Sequence, residues 1–235
     1  MEDRCNENII SEQILSITED ASHNLWIGTD KGLCLFDSTK KTFTAVNQPN
    51  DNSLTSHLIS VLLEDSFGNI WIGTTNKGLN RLNPETRKIQ HYTFSPTDSF
   101  SISNNKINCI FEDKQKNLWV GTDFGLNLLQ TKSDSFLHFT IKNGLAGNKI
   151  QSIIQDDAGH IWIGTDNGCS VYDFENAEFK NYYQSDGLQS NQFTNAAIKL
   201  SSGKIVLGGE KGINIFDPAQ LAFIYPETAV QITGF

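Results

Sequence analysis

A short apolar string centred on Trp-Ile-Gly-Thr returns along this chain at a nearly constant interval, and that interval restricts the fold more than any other property. Copies stand at Leu25-Trp26-Ile27-Gly28-Thr29, Ile70-Trp71-Ile72-Gly73-Thr74, Leu118-Trp119-Val120-Gly121-Thr122 and Ile161-Trp162-Ile163-Gly164-Thr165. A paler fifth copy is Ile205-Val206-Leu207-Gly208-Gly209. The glycines Gly28, Gly73, Gly121, Gly164 and Gly208 are 45, 48, 43 and 44 residues apart. A period of that length marks a repeat architecture, in which one supersecondary unit is copied and stacked.

The surroundings of each copy fix its secondary structure. An apolar, β-branched run precedes each string (Ile14 to Ile17, Leu58 to Leu63, Ile107 to Phe111, Ile150 to Ile154, and a weaker Ala196 to Leu200) and reads as a strand. A polar turn such as Asp65-Ser66-Phe67-Gly68-Asn69 joins it to the Trp strand. A glycine follows the Trp strand in every copy, at Gly32, Gly78, Gly125, Gly168 and Gly212, where a positive φ or a close backbone approach is expected. An apolar third strand comes next, and an aromatic fourth strand closes most units, as in Thr42-Phe43-Thr44-Ala45 and Phe136-Leu137-His138-Phe139.

Four short strands per repeat exclude the helical solenoids and predict an all-β fold, a β-propeller of five four-stranded blades of about 45 residues. The expected boundaries are an N-terminal stub over 1–8, blades over approximately 9–50, 51–98, 99–142, 143–185 and 186–220, and an exit segment over 221–235. In a propeller Trp26, Trp71, Trp119 and Trp162 wedge between blades, so these four and the five string glycines are assigned to the frame.

The bulk properties remove several functions. Net charge is −9, spread along the chain, which disfavours phosphate backbones and anionic lipid; neither nucleic acid nor direct membrane contact is expected. The polar start, Met1 to Asn8, lacks the basic and apolar regions of a secretory signal. The longest apolar run, Leu58 to Leu63, is too short to cross a bilayer. Cys5, Cys34, Cys109 and Cys169 fall in different units without metal-ligand spacing, and three read as small strand hydrophobes.

The combined pattern, a connector Gly-Leu…Asn…Ile followed by Asp-x-x-Gly-Asn-x-Trp-Ile-Gly-Thr and Gly-Leu, resembles the two-component regulator propeller repeat from about Ile9 to Pro218. That family forms the extracytoplasmic sensor region of hybrid histidine kinases of Bacteroidetes. The resemblance implies a periplasmic region sensing oligosaccharides or their breakdown products, and blades that are part of a larger, seven-bladed propeller. The tail Ile224 to Phe235 resembles the passage from a last blade into an immunoglobulin-like domain. With the chain opening inside a connector, the expectation is a segment whose further sensor and kinase domains lie elsewhere in a parent chain.

Chemistry is sparse by comparison. His23, His57, His91, His138 and His160 show no His-x-His or Glu-x-x-His spacing, and no phosphate loop, calcium loop or Ser-His-Asp order appears. No catalytic residue, metal or cofactor is expected. A propeller enzyme of the streptogramin-lyase or glycan-lyase type is the alternative, resting on a His-centred site at His23 or His160. A protein-interaction scaffold is the second alternative. Ligand recognition is assigned to the turns after the Trp strands: Asp30, Lys31, Asn76, Lys77, Asp123, Phe124, Asp166, Asn167, Glu210 and Lys211. These differ between copies while their frame does not, as recognition loops on a rigid scaffold do. Blades with unpaired end faces are further expected to dimerise or to close into a tight five-bladed ring.

Overall fold

The computed structural model describes residues 9–46 and 53–221; the N-terminal stub and the tail from Ile224 lie outside the described residues. The first blade holds β1 (Ile14–Glu19), β2 (Leu25–Thr29), β3 (Gly32–Asp37) and β4 (Thr42–Ala45). The second holds β5 (Ile59–Glu64), β6 (Ile70–Thr74), β7 (Leu79–Leu82) and β8 (Ile89–Tyr92). The third is β9 (Ile107–Glu112), β10 (Leu118–Thr122), β11 (Gly125–Gln130) and β12 (Ser135–Phe139), and the fourth β13 (Ile150–Gln155), β14 (Ile161–Thr165), β15 (Gly168–Asp173) and β16 (Glu178–Tyr182). The fifth has three described strands, β17 (Phe193–Lys199), β18 (Ile205–Gly209) and β19 (Gly212–Phe216), followed by the short helix α1 (Pro218–Leu221). Each sheet is an antiparallel meander in chain order. After β19 Pro218 opens a helical turn, and the residues beyond Leu221 lie outside the described residues.

First strands pack on first strands, β1 on β5, β5 on β9, β9 on β13 and β13 on β17, so they line the axis and the fourth strands form the rim. No comparable packing joins β17 to β1 among the described residues. The blades form an open arc rather than the closed five-bladed ring that was one of two expectations. As a result the outward faces of the end blades are apolar and uncovered, with Ile17 58% and Ile215 55% exposed.

Between blades the core is continuous. Trp71 sits in one cluster with Ile102, Ile107, Leu118 and Val120 of the next blade, and Trp119 with Leu145, Ile150, Ile161 and Ile163. Trp26 packs on Ile59, Ile70 and Ile72, and Trp162 on Phe193, Ile205 and Leu207. The turn aspartate of each repeat holds the indole: Trp26, Trp71, Trp119 and Trp162 donate Nε1–H to Asp20, Asp65, Asp113 and Asp156 at 2.9, 2.7, 2.9 and 2.9 Å. The same carboxylates accept the backbone N–H four residues on, from Asn24, Asn69, Asn117 and His160, and so pin the turn. In the fifth blade Leu200 and Val206 occupy the aspartate and tryptophan positions, and both halves of the pair are absent together.

Candidate ligand-binding face

The start of each first strand lies beside the end of the Trp strand, as the pairs Ile14 with Thr29, Ile59 with Thr74, Ile107 with Thr122 and Ile150 with Thr165 show. All ten candidate turn residues therefore sit at one end of the molecule, beside the blade connectors. The Asp-Trp turns occupy the other end. Within each turn the threonine hydroxyl closes the loop: Thr29, Thr74, Thr122 and Thr165 donate Oγ1–H to the carbonyl of Gly32, Gly78, Gly125 and Gly168. It also accepts the N–H of Lys31, Lys77, Phe124 and Asn167, which are four of the candidates. The expected positive φ is present, at 129° for Gly125 and 122° for Gly168.

Several candidates spend their polar groups on the connector entering their own blade. Asp30 accepts from Ser11, and Asn76 from Ser56 at 3.3 Å. Asp166 accepts the N–H of Lys149 at 3.3 Å, and Asn167 donates to the Ala146 carbonyl at 3.2 Å. Lys211 donates its N–H to Gln189, and Glu210 donates its N–H to the Gln192 carbonyl at 3.1 Å. These residues hold connector and turn in register, a duty the sequence did not disclose.

The third and fourth blades carry the densest polar arrangement. Asp123 accepts from Asn108 Nδ2 at 2.9 Å and pairs with Lys106 Nζ at 3.1 Å. Partial burial pushes its carboxyl up, but hydrogen bonds from Asn108 and Lys106 and the charges of Lys106 and Lys149 hold it below the usual carboxylate range. Phe124, the next residue in the turn, is 64% exposed, an apolar ring presented to solvent.

One set of polar residues escaped the sequence reading. Asn80, Asn127, Ser170 and Asn214, on third strands, accept the backbone N–H of Thr55, Ser103, Ala146 and Gln189 in the entering connector. The signal available was a polar residue at one register position of four of the five third strands, the first blade having Cys34 there. The histidines have local partners: His23 Nδ1 meets Glu19 at 2.7 Å, His91 Nδ1 meets Asn80 at 2.8 Å, and His160 Nδ1 meets Asp156 at 3.0 Å. His160 takes the place that Asn24, Asn69 and Asn117 fill in the other turns. Among the described residues no group of three His, Cys, Asp or Glu side chains converges as a metal site.

A model of the two component regulator propeller matches residues 8–31, 53–76, 101–124 and 144–167, each spanning connector, first strand, aspartate turn and Trp strand. Four of the chain's five repeats are two-component regulator propeller repeats. A search of curated proteins found no match to this regulator propeller. Among solved structures it is similar to the extracellular domain of BT3049 from B. thetaiotaomicron, assigned to a hybrid two component system. The TM-score is 0.77 and the identity 26%, over 88% of this chain and 29% of that one. The extracellular domain of BT4673 from the same organism gives a TM-score of 0.73 at 21% identity, over 88% and 29% of the two chains. The regulator propeller thus spans less than a third of the length of these relatives. Virginiamycin B lyase from Staphylococcus aureus shares the fold, with a TM-score of 0.66 at 13% identity over 88% and 67% of the chains. Among the described residues no helix is long and apolar enough to cross a membrane.

Proposed function

We propose that this regulator propeller is a non-catalytic, ligand-sensing segment from the extracytoplasmic part of a two-component sensor, taking a small carbohydrate on the turn-and-connector face around Asp123 and Phe124. The observation that carries the reading is the fourfold repeat match together with likeness to the extracellular domain of a hybrid two component system. The same likeness supports placement outside the cytoplasm and coupling to further sensor and kinase domains. The ligand class is supported by the exposed ring of Phe124, next in the turn to Asp123, which accepts from Asn108 and pairs with Lys106.

Isothermal titration of the chain against a panel of neutral and acidic oligosaccharides tests the reading. Saturable binding is expected, weakened about fivefold by Phe124→Ala at unchanged Tm, since stacking on an aromatic face is worth about 1 kcal/mol. Binding that ignores both Phe124→Ala and Asp123→Asn moves the site elsewhere, and silence across the panel removes the carbohydrate.

A further inference from the structure

At three of the four blade interfaces a tryptophan face is covered by an aromatic ring from the fourth strand of its own blade. Tyr92 stacks on Trp71 at 5.6 Å, Phe139 lies over Trp119 at 6.0 Å, and Tyr182 stacks on Trp162 at 5.9 Å. The register is the same each time, because Tyr92, Phe139 and Tyr182 stand opposite Leu79, Leu126 and Cys169 of the third strand. In the first blade the residue opposite Leu33 is Val46, whose N–H donates to the Leu33 carbonyl at 2.8 Å. Valine has no ring. Beside Trp26 the structure holds a cavity of about 300 Å³, with Trp26, Leu35, Val46 and Leu82 as apolar walls.

The polar side of this cavity has changed in step. Tyr92 donates its hydroxyl to Asp134, a residue at φ 53° in the third-to-fourth-strand turn of the next blade. The residue at that place in the second blade, at φ 56°, is Arg87, and it lines the cavity with Glu85. Where a sister interface pairs a tyrosine hydroxyl with a carboxylate, this one is lined by Arg87 and Glu85 and has no ring from the fourth strand. A guanidinium is a fork of donors suited to a carboxylate, and Glu85 accepts from an ammonium.

We propose that the cavity between the first and second blades binds a free aromatic α-amino acid, its ring on Trp26 in the slot that Tyr92 and Tyr182 fill elsewhere, its carboxylate toward Arg87 and its ammonium toward Glu85. The volume is at the lower end of small-molecule sites, appropriate to a single ring and its substituents. This site lies away from the turn-and-connector face and is independent of the carbohydrate reading.

Titration of the chain with L-tyrosine, followed by calorimetry and by ¹H–¹³C shifts of the Val46 methyls, tests the proposal. One-to-one binding that shifts Val46 is expected, with a loss of at least tenfold in Val46→Tyr, where the chain supplies its own ring. A cooperative thermal transition at equal or higher Tm shows that Val46→Tyr is folded. Arg87→Gln is expected to weaken L-tyrosine while leaving p-cresol unaffected. Absence of L-tyrosine binding, binding that survives Val46→Tyr, or p-cresol binding as tight as L-tyrosine would each overturn the assignment.

Discussion

Asp113 shows how one side chain makes the repeat cohere. Its carboxylate accepts from the N–H groups of Gln115 and Asn117, from Asn117 Nδ2 and from the buried indole of Trp119. Asp113→Ala leaves the indole N–H without a partner inside the protein, and about 2 kcal/mol of stability is expected to be lost, read as a lower denaturation midpoint at unchanged m-value. The half-buried counterpart Asp20 gives the pH dependence. Burial pushes its carboxyl up, but hydrogen bonds from Asn24, Trp26 and Ser22 outweigh this and hold it below the ordinary value. A carboxyl depressed in the folded state contributes fully above its unfolded value of about 4, and the contribution disappears as pH falls through the folded value. Tm measured against pH is therefore expected to separate the native chain from Asp20→Asn at neutral pH, with the two curves converging in acid.

At the level of the strands, the string glycines are explained by the next blade. A Cβ on Gly73 would lie 2.5 Å from Val61 and 2.7 Å from Ile107 of the third blade's first strand, so axial packing is set by the absence of a side chain. Gly73→Ala is expected to cost about 2 kcal/mol by overpacking, and the paired change Ile107→Val, which keeps a clashing γ-methyl, is expected to recover little of it; differential scanning calorimetry of both variants decides. The strands were readable in the sequence because each repeat shows its apolar runs and turn residues five times over. The positive-φ turn glycines were readable for the same reason. The duty of Asn80 and Asn127 was not. In a two-residue alternation such a side chain looks solvent-facing, yet both are buried, and the N–H they receive comes from a connector residue 24 or 25 positions earlier. Long-range pairing of that kind leaves no local pattern. For the same reason the sequence grouped the turn residues together and could not separate Asp30 and Glu210, which bond to connectors, from Phe124, which is presented to solvent.

Across the whole molecule, the internal interfaces describe what the two ends lack. The first-to-second-strand turn of one blade reaches the end of the next blade's first strand: Ala21 N–H donates to Glu64, Ser66 N–H to Glu112 and Lys114 N–H to Gln155. At the free face of the first blade Glu19 stands in the position of those acceptors and pairs with His23 instead. At the free face of the fifth blade Ile198, Ile213 and Ile215 are exposed, and the bolt of Asp and Trp is replaced by Leu200 and Val206. Exposed apolar faces of this kind associate. Light scattering is expected to show mass rising with concentration, and Ile215→Lys is expected to reduce the rise without lowering Tm. The central claim is that the repeats stack in one register and stop short of a closed ring. Small-angle X-ray scattering extrapolated to zero concentration tests it most directly: the account predicts the profile of an open five-bladed arc, and the compact profile of a closed five-bladed ring would contradict it.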